Sequence, residues 1–214
     1  NALGWHHRDA ARLERLQDRL SFASVVLRAG TKLVDLQTVA LGQEHLVDTG
    51  WTTRGEREDR GKGDATRSTH IRYRHYQADS AVLVALRLAP ADEAPTLDNL
   101  AQALDEPERP LFIGRKACLP ALPLVLKQVE AAGLVEALIQ GLVLAGGATS
   151  PGSYYPGSYY IEWPAGTASG MPGLKQSRTL RVVDRLDWRN HIHSGERVLA
   201  VGTLSAPAPG ESAP

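Results

Sequence analysis

The residues best suited to chemistry lie in three clusters. The first is RPLFIGRKACLP, Arg109 to Pro120, an apolar run that exits through Gly114, Arg115 and Lys116, with Cys118 just beyond. A glycine there lets the backbone come close to a ligand and turn its amide toward an anion. Arg115 can grip a phosphate with two parallel hydrogen bonds, and Lys116 adds a movable point charge. No acid lies between Arg109 and Lys127, so these cations are locally unopposed. The same residues also suit a β-turn carrying two solvated cations. Cys118 is the only cysteine, and as a small residue among apolar ones it fits a core filler better than a nucleophile.

The second cluster is HIRYRHY, His70 to Tyr76, which alternates with period two. On a strand, His70, Arg72, Arg74 and Tyr76 share one face, and Ile71, Tyr73 and His75 share the other. Arginines and an aromatic on one face suit a nucleic-acid backbone and a stacked base, or equally an exposed face with cross-strand pairs. The third cluster is histidine: His6-His7 and His191-x-His193. Two ligands are too few for a metal, and no carboxylate or cysteine spacing completes a site. No metal and no cofactor is expected. A catalytic alternative remains: His70 or His75 with Tyr73 and Lys116 could cleave RNA by acid–base chemistry, with the 2′-OH as nucleophile. Walker, GxGxxG, GxSxG and HExxH motifs are absent.

These residues need elements to position them. Asp9 to Leu20 reads as a helix, with Leu13, Leu16 and Leu20 on one face and Asp9 as N-cap. Phe22–Arg28 and Lys32–Val39 read as strands around the turn at Ala29-Gly30. Ser80–Leu88 is a continuous apolar run, expected to be a central strand buried on both faces. Thr96–Leu104 reads as a short helix and Leu111–Ile113 as a short strand. Helix, strands, helix, strand is a βαββαβ ferredoxin-like order if one more strand precedes Asn1. The opening Asn1-Ala-Leu-Gly-Trp5 has no initiator Met, and the chain is expected to begin inside a fold.

His45 to Arg74 is a long polar stretch with glycines at 50, 55, 61 and 63, too long for an ordinary connection. Beyond Pro123, Val125–Leu144 is expected to be partly helical, with Gly133 and Gly141 as breaks. The pentapeptide PGSYY occurs at 151–155 and again at 156–160. Two copies do not make a solenoid, so a loop duplication running into a strand at Tyr159–Trp163 is expected. Thr179–Val183 and Arg197–Val201 suggest further strands, and the Pro- and Ala-rich end a disordered tail.

Composition narrows the class. Lys and Arg number 24 against 24 Asp and Glu, which excludes a strongly basic RNA-coating protein but leaves room for a local basic groove. A single cysteine rules out an internal disulfide framework and suits a reducing cytoplasm. No apolar run reaches the ~20 residues that cross a membrane.

Three segments in order then resemble a known family. LVDLQTV (33–39) is similar to an L-x-D-[FY]-x-T-V strand, RYRHYQADSAVLVAL (72–86) to W-R-x-Y-L-x-D-A-x-F-x-V-A-L, and RPLFIGRKACLPALPL (109–124) to P-x-Y-L-G-R-[RK]-S-C-P-x-x-x-P-L. These are motifs of the CasD family, the fifth-numbered Cas proteins of type I-E CRISPR systems, members of the RAMP superfamily. NALGWHHRDAARLERL resembles that family's first helix, and VVDRLDW (182–188) its C-terminal region.

The resemblance implies an α+β fold. A ferredoxin-like, RRM-related lobe would cover 1–124, lacking its first strand and carrying a long β-hairpin thumb at about 42–74. A small β-rich C-terminal lobe would cover 125–204, with a tail at 205–214. It implies a noncatalytic subunit of the Cascade surveillance complex that binds the 5′ handle of the guide (CRISPR) RNA. Its partners would be the backbone repeat subunits and the large subunit, with target DNA met indirectly during antiviral targeting. RNA-binding positions carried over are Arg74, Tyr76, Arg109, Phe112, Gly114, Arg115, Lys116 and Cys118. The thumb would use Arg54, Arg57, Arg60, Lys62, Arg67 and Arg72. The other reading from the same resemblance is a metal-independent endoribonuclease that processes precursor CRISPR RNA, as a related protein does in another subtype. Leu36 and Gln37 depart from the family's aromatic and His, and Ala117 from its Ser.

Overall fold

The computed structural model describes residues 2–40, 50–51, 57–58, 69–145, 157–168 and 170–205. The expected thumb cations Arg54, Arg60, Lys62 and Arg67, the first PGSYY copy and the tail from 206 lie outside them. The chain divides into two compact units, Asn1–Ala29 with Ala81–Pro214, and Gly30–Ser80.

In the first unit, α1 (Ala10–Arg19) runs straight into β1 (Leu20–Arg28). Asp9 does occupy the N-cap position, but its side chain makes no capping bond. Instead its carboxylate accepts from the His6 amide at 2.8 Å, folding the chain before the helix into a turn. β1 pairs antiparallel with β6 (Ala81–Leu88), Leu20 opposite Leu88 and Val25 opposite Leu83. On its other side β1 meets β7 (Ser158–Pro164), which pairs with β9 (Ile192–Ser205), and β9 with β8 (Leu174–Asp187). The result is one antiparallel five-stranded sheet in the order β6-β1-β7-β9-β8. Two helices complete the described elements of this unit: α2 (Leu97–Asp105) and α3 (Leu134–Leu144). The fold is mixed α+β with few helices and a mostly antiparallel sheet, consistent with the ferredoxin-like class.

Two expectations about this unit change. The 158–205 strands join the sheet that holds β1 and β6, so the boundary expected at 124 falls inside one compact unit. β6 is an edge strand rather than a central one: Val82, Val84 and Leu86 are exposed, while Ala85 and Leu88 are buried. An unbroken apolar run marks a strand able to be covered on both faces. Among the described residues, only one face of β6 is covered.

That covered face makes the core. Leu134, Val135, Leu138 and Leu142 of α3 pack with Ala23, Val25 and Ala85, and with Tyr159, Ile161 and Trp163 of β7. Each fully buried aliphatic side chain of this kind contributes roughly 1.5–3 kcal/mol relative to exposure. Gly133 precedes the helix as its N-cap, as a break should. Gly141 is not a break: it lies inside α3, where a Cβ would come within 2.9 Å of Leu83 Cδ2. Its missing side chain lets the helix approach β6 closely.

The second unit is a hairpin. β2 (Thr31–Ala40) pairs with β5 (Thr69–Ala78) in an unshifted antiparallel register from Thr31–Ala78 to Ala40–Thr69. A two-residue ladder, β3 (Gly50–Trp51) with β4 (Arg57–Glu58), lies between them in sequence. The long hairpin therefore begins at 31, before the expected start near 42. Gly30 is required at its base, because φ is +75° and a Cβ would sit 2.3 Å from the Ala78 carbonyl oxygen.

Candidate nucleic-acid interface

The hairpin sorts its side chains as the alternation in HIRYRHY demands. Arg74 stands opposite Asp35, Arg72 opposite Gln37 and Tyr76 opposite Leu33, all on one face. Tyr73 opposite Leu36 and His75 opposite Val34 make the other. Arg74 is half-buried, and its Nε donates to Gln37 Oε1 at 2.6 Å. Gln37 Nε2 in turn donates to Asp35 Oδ2 at 3.0 Å. This relay fixes the Arg74 guanidinium against the strand, so less side-chain entropy is lost when it meets an anion. Arg72, next to it on the same face, is exposed.

The opposite face was not singled out from the sequence as a whole. Tyr73 is 68 % exposed, with Val34 and Leu36 each 55 % exposed beside it. An aromatic so open is a platform on which a base can stack, for roughly 1–3 kcal/mol. Tyr76, the aromatic favoured by the resemblance, is only half-exposed. The signal that finds Tyr73 is the departure at Leu36, which puts an aliphatic surface directly across from it. The side chains of His70 and Arg57 lie outside the described residues.

In the other unit, the predicted strand at 111–113 does not form. A strand needs a ladder partner, and this segment bonds to itself instead. Ile113 N donates to the Cys118 carbonyl at 2.8 Å, Arg115 N to Ile113 at 2.9 Å and Cys118 N to Arg115 at 2.8 Å. The loop closes through Gly114 at φ +77°, with no atom within 4 Å of where a Cβ would be. Its glycine is thus required by backbone conformation and leaves open space beside it. Lys116 is exposed; Phe112, Arg115 and Cys118 are half-buried. The loop is a compact turn presenting Lys116 outward.

Arg109 has a different position. Its Nη2 donates to the Gly4 carbonyl at 2.9 Å and its Nη1 to that of Trp5 at 3.3 Å. The Glu108 amide adds a bond to Ala2 at 3.1 Å. Arg109 therefore clips the segment before α1 to the body of the unit. Of the alternative acid–base set, Tyr73 and His75 share a hairpin face, whereas Lys116 belongs to the other compact unit.

The histidines meet in a way the sequence spacing did not reveal. His6 and His7 rings lie 3.8 Å apart by centroid, and His7 and His191 5.5 Å apart. Desolvation, then the neighbouring His6, His191 and Arg8 charges, hold the His7 imidazole below its usual range. Among the described residues no group of three or more His, Cys, Asp or Glu could hold a metal, and no helix is long and apolar enough to cross a membrane.

A solved chain described as "CRISPR RNA-guided surveillance complex" resembles this one with a TM-score of 0.56 and 23 % identity, over 90 % of this chain and 70 % of the other. None of the curated proteins matches by sequence. Residues 1–198 match the family model Cas_Cas5d, described as CRISPR-associated protein (Cas_Cas5). The chain belongs to that CRISPR-associated family.

Proposed function

We propose that this protein is a noncatalytic subunit of a type I-E Cascade surveillance complex, binding the 5′ handle of the guide RNA and helping the complex assemble. Family membership and the fold shared with a surveillance-complex chain support the setting. The observation that carries RNA binding is the hairpin, with Arg74 held by Gln37 on one face and Tyr73 open on the other. Arginines would take phosphates and fix register, while stacking and edge contacts to splayed bases would select the handle. Lys116, on its outward turn, would add a further phosphate contact. Exposed Val34 and Leu36 would pack against neighbouring subunits, with target DNA met through the assembled complex.

A native gel tests this reading, comparing guide RNA bearing its own handle with RNA whose handle is scrambled, in EDTA and with the recovered RNA sized. Preference for the handle with intact RNA is the expected result. RNA shortened in EDTA would overturn the noncatalytic role and make His70, His75, Tyr73 and Lys116 the first residues to substitute. Binding without preference would remove handle recognition from this subunit.

A further inference from the structure

Beside α1, on the first compact unit, lies a cavity of about 460 Å³ that the guide-RNA reading does not use. Its walls include Leu3, Trp5, Arg12, Arg15, Arg19 and Asn99, with Pro95 at one side. Arg12, Arg15 and Arg19 follow i, i+3, i+7 spacing, so one face of α1 turns three guanidinium groups toward the same space. No acid lines the cavity. The acids of α1 face elsewhere: Asp18 pairs with Arg185, and Glu14 with Arg189 at 3.5 Å. Glu93, outside the lining, is taken up by Arg15 and lies 3.7 Å from Arg19. The lining itself carries three arginines and no acid, which leaves the cleft positive.

Arg19 is the unusual member. It is only 2 % exposed, and its Nε and Nη1 have no hydrogen-bond partner, while Nη2 donates to the Pro90 and Glu93 carbonyls. A buried guanidinium left partly unsatisfied costs stability, and here it sets a fixed positive charge beneath the cleft. The walls are pinned independently. Arg109 holds the Gly4 and Trp5 carbonyls, Arg19 holds the 90–93 loop, and a Thr96–Asn99 capping box holds the start of α2. At the mouth, the exposed Arg12 guanidinium lies 4.4 Å over the Trp5 ring. Its outer plane can take a second flat ring, since guanidinium planes stack on bases. The Asn99 carbonyl oxygen is committed to the Thr96 amide, which leaves its NH₂ as a donor for a ring edge. The volume suits a small ligand.

We propose that this cleft binds a nucleoside phosphate: phosphate toward Arg12 and Arg15 over the buried Arg19 charge, base on the Arg12–Trp5 stack. That chemistry can arrive as a free nucleotide or as one residue of an RNA strand.

Calorimetric titration of the full chain with AMP, adenosine and inorganic phosphate at low salt tests it. AMP is expected to bind one to one, and adenosine and phosphate each roughly tenfold or more weakly, because each satisfies half of the site. Arg12→Ala and Trp5→Leu are expected to weaken AMP about tenfold with unchanged melting, and Arg12→Lys, which keeps charge but loses the flat face, to fall between. A short single-stranded RNA that displaces AMP assigns the cleft to RNA, and one that leaves AMP bound assigns it to free nucleotide; both sustain the site. No AMP binding at millimolar concentration overturns the proposal, as does equal affinity in folded Arg12→Ala. A cleft that ignores AMP but takes a glutamate-rich peptide is a protein-docking surface, and that also overturns it.

Discussion

Gln37 Oε1 accepts from Arg74 Nε at 2.6 Å while its amide nitrogen donates to Asp35, so Gln37 is what orients the hairpin's half-buried arginine. Arg74→Ala is expected to weaken RNA binding across sequences and to lower the salt slope of affinity by about one. Gln37→Leu keeps the charge but frees the guanidinium, so it should lose less affinity while leaving the slope intact. Affinities at several salt concentrations separate the two.

Arg109 should behave as a clip. Arg109→Ala removes two charge-assisted bonds to carbonyls, of about 1.5–3 kcal/mol each at most and less at an exposed site. Hydrogen exchange is expected to speed up over residues 2–8, with RNA affinity changed far less than by Arg74→Ala. The reverse ranking would return Arg109 to the RNA interface.

Gly202 should not accept a side chain. A Cβ there would stand 2.0 Å from the Lys175 carbonyl oxygen, which is backbone and cannot rotate aside. Gly202→Ala is expected to destabilise by about 2–4 kcal/mol, seen as a lowered urea midpoint. Gly141→Ala meets only the end of the Leu83 side chain, and helix propensity offsets part of the clash, so its cost should stay below about 1 kcal/mol.

His7 and Asp184 are among the groups that shape the acid side of the stability profile. His7 is held below its usual pKa by desolvation and by His6, His191 and Arg8, so the unfolded chain binds its proton more readily. Its effect on stability is therefore lost as pH falls below about 6.5. His7→Asn should flatten the slope of the melting temperature between pH 7.5 and 5.5. An unchanged slope would show that the cluster carries no linkage.

Asp184 acts at lower pH. The Arg197 hydrogen bonds hold its carboxyl below the usual range, and the same guanidinium lies 4.1 Å over the Phe22 ring. A depressed carboxylate stabilises above its unfolded pKa and loses that effect as pH falls through the folded value. Asp184→Asn should lower the melting temperature at pH 7 and narrow its difference from the wild type below about pH 4.

The sequence alone determined what is local. The helices α1 and α2 and the alternation from Arg72 to Tyr76 follow from helix and strand periods, and each is found in place, though Leu20 opens β1 rather than closing α1. The ordered motifs around Arg74 and Gly114 were enough to suggest the family. Tertiary structure decided what depends on neighbours far along the chain. Periodicity says which side of a strand is apolar, not which strand lies beside it. So β6 as an edge, β7 to β9 in the sheet of β1, and 111–113 closing on itself were not legible. The partners of Arg19, Arg109 and His7 lie about 70 to 185 residues away, and sequence spacing carries no record of such meetings. Chain topology alone brings them together, and with them the cleft beside α1.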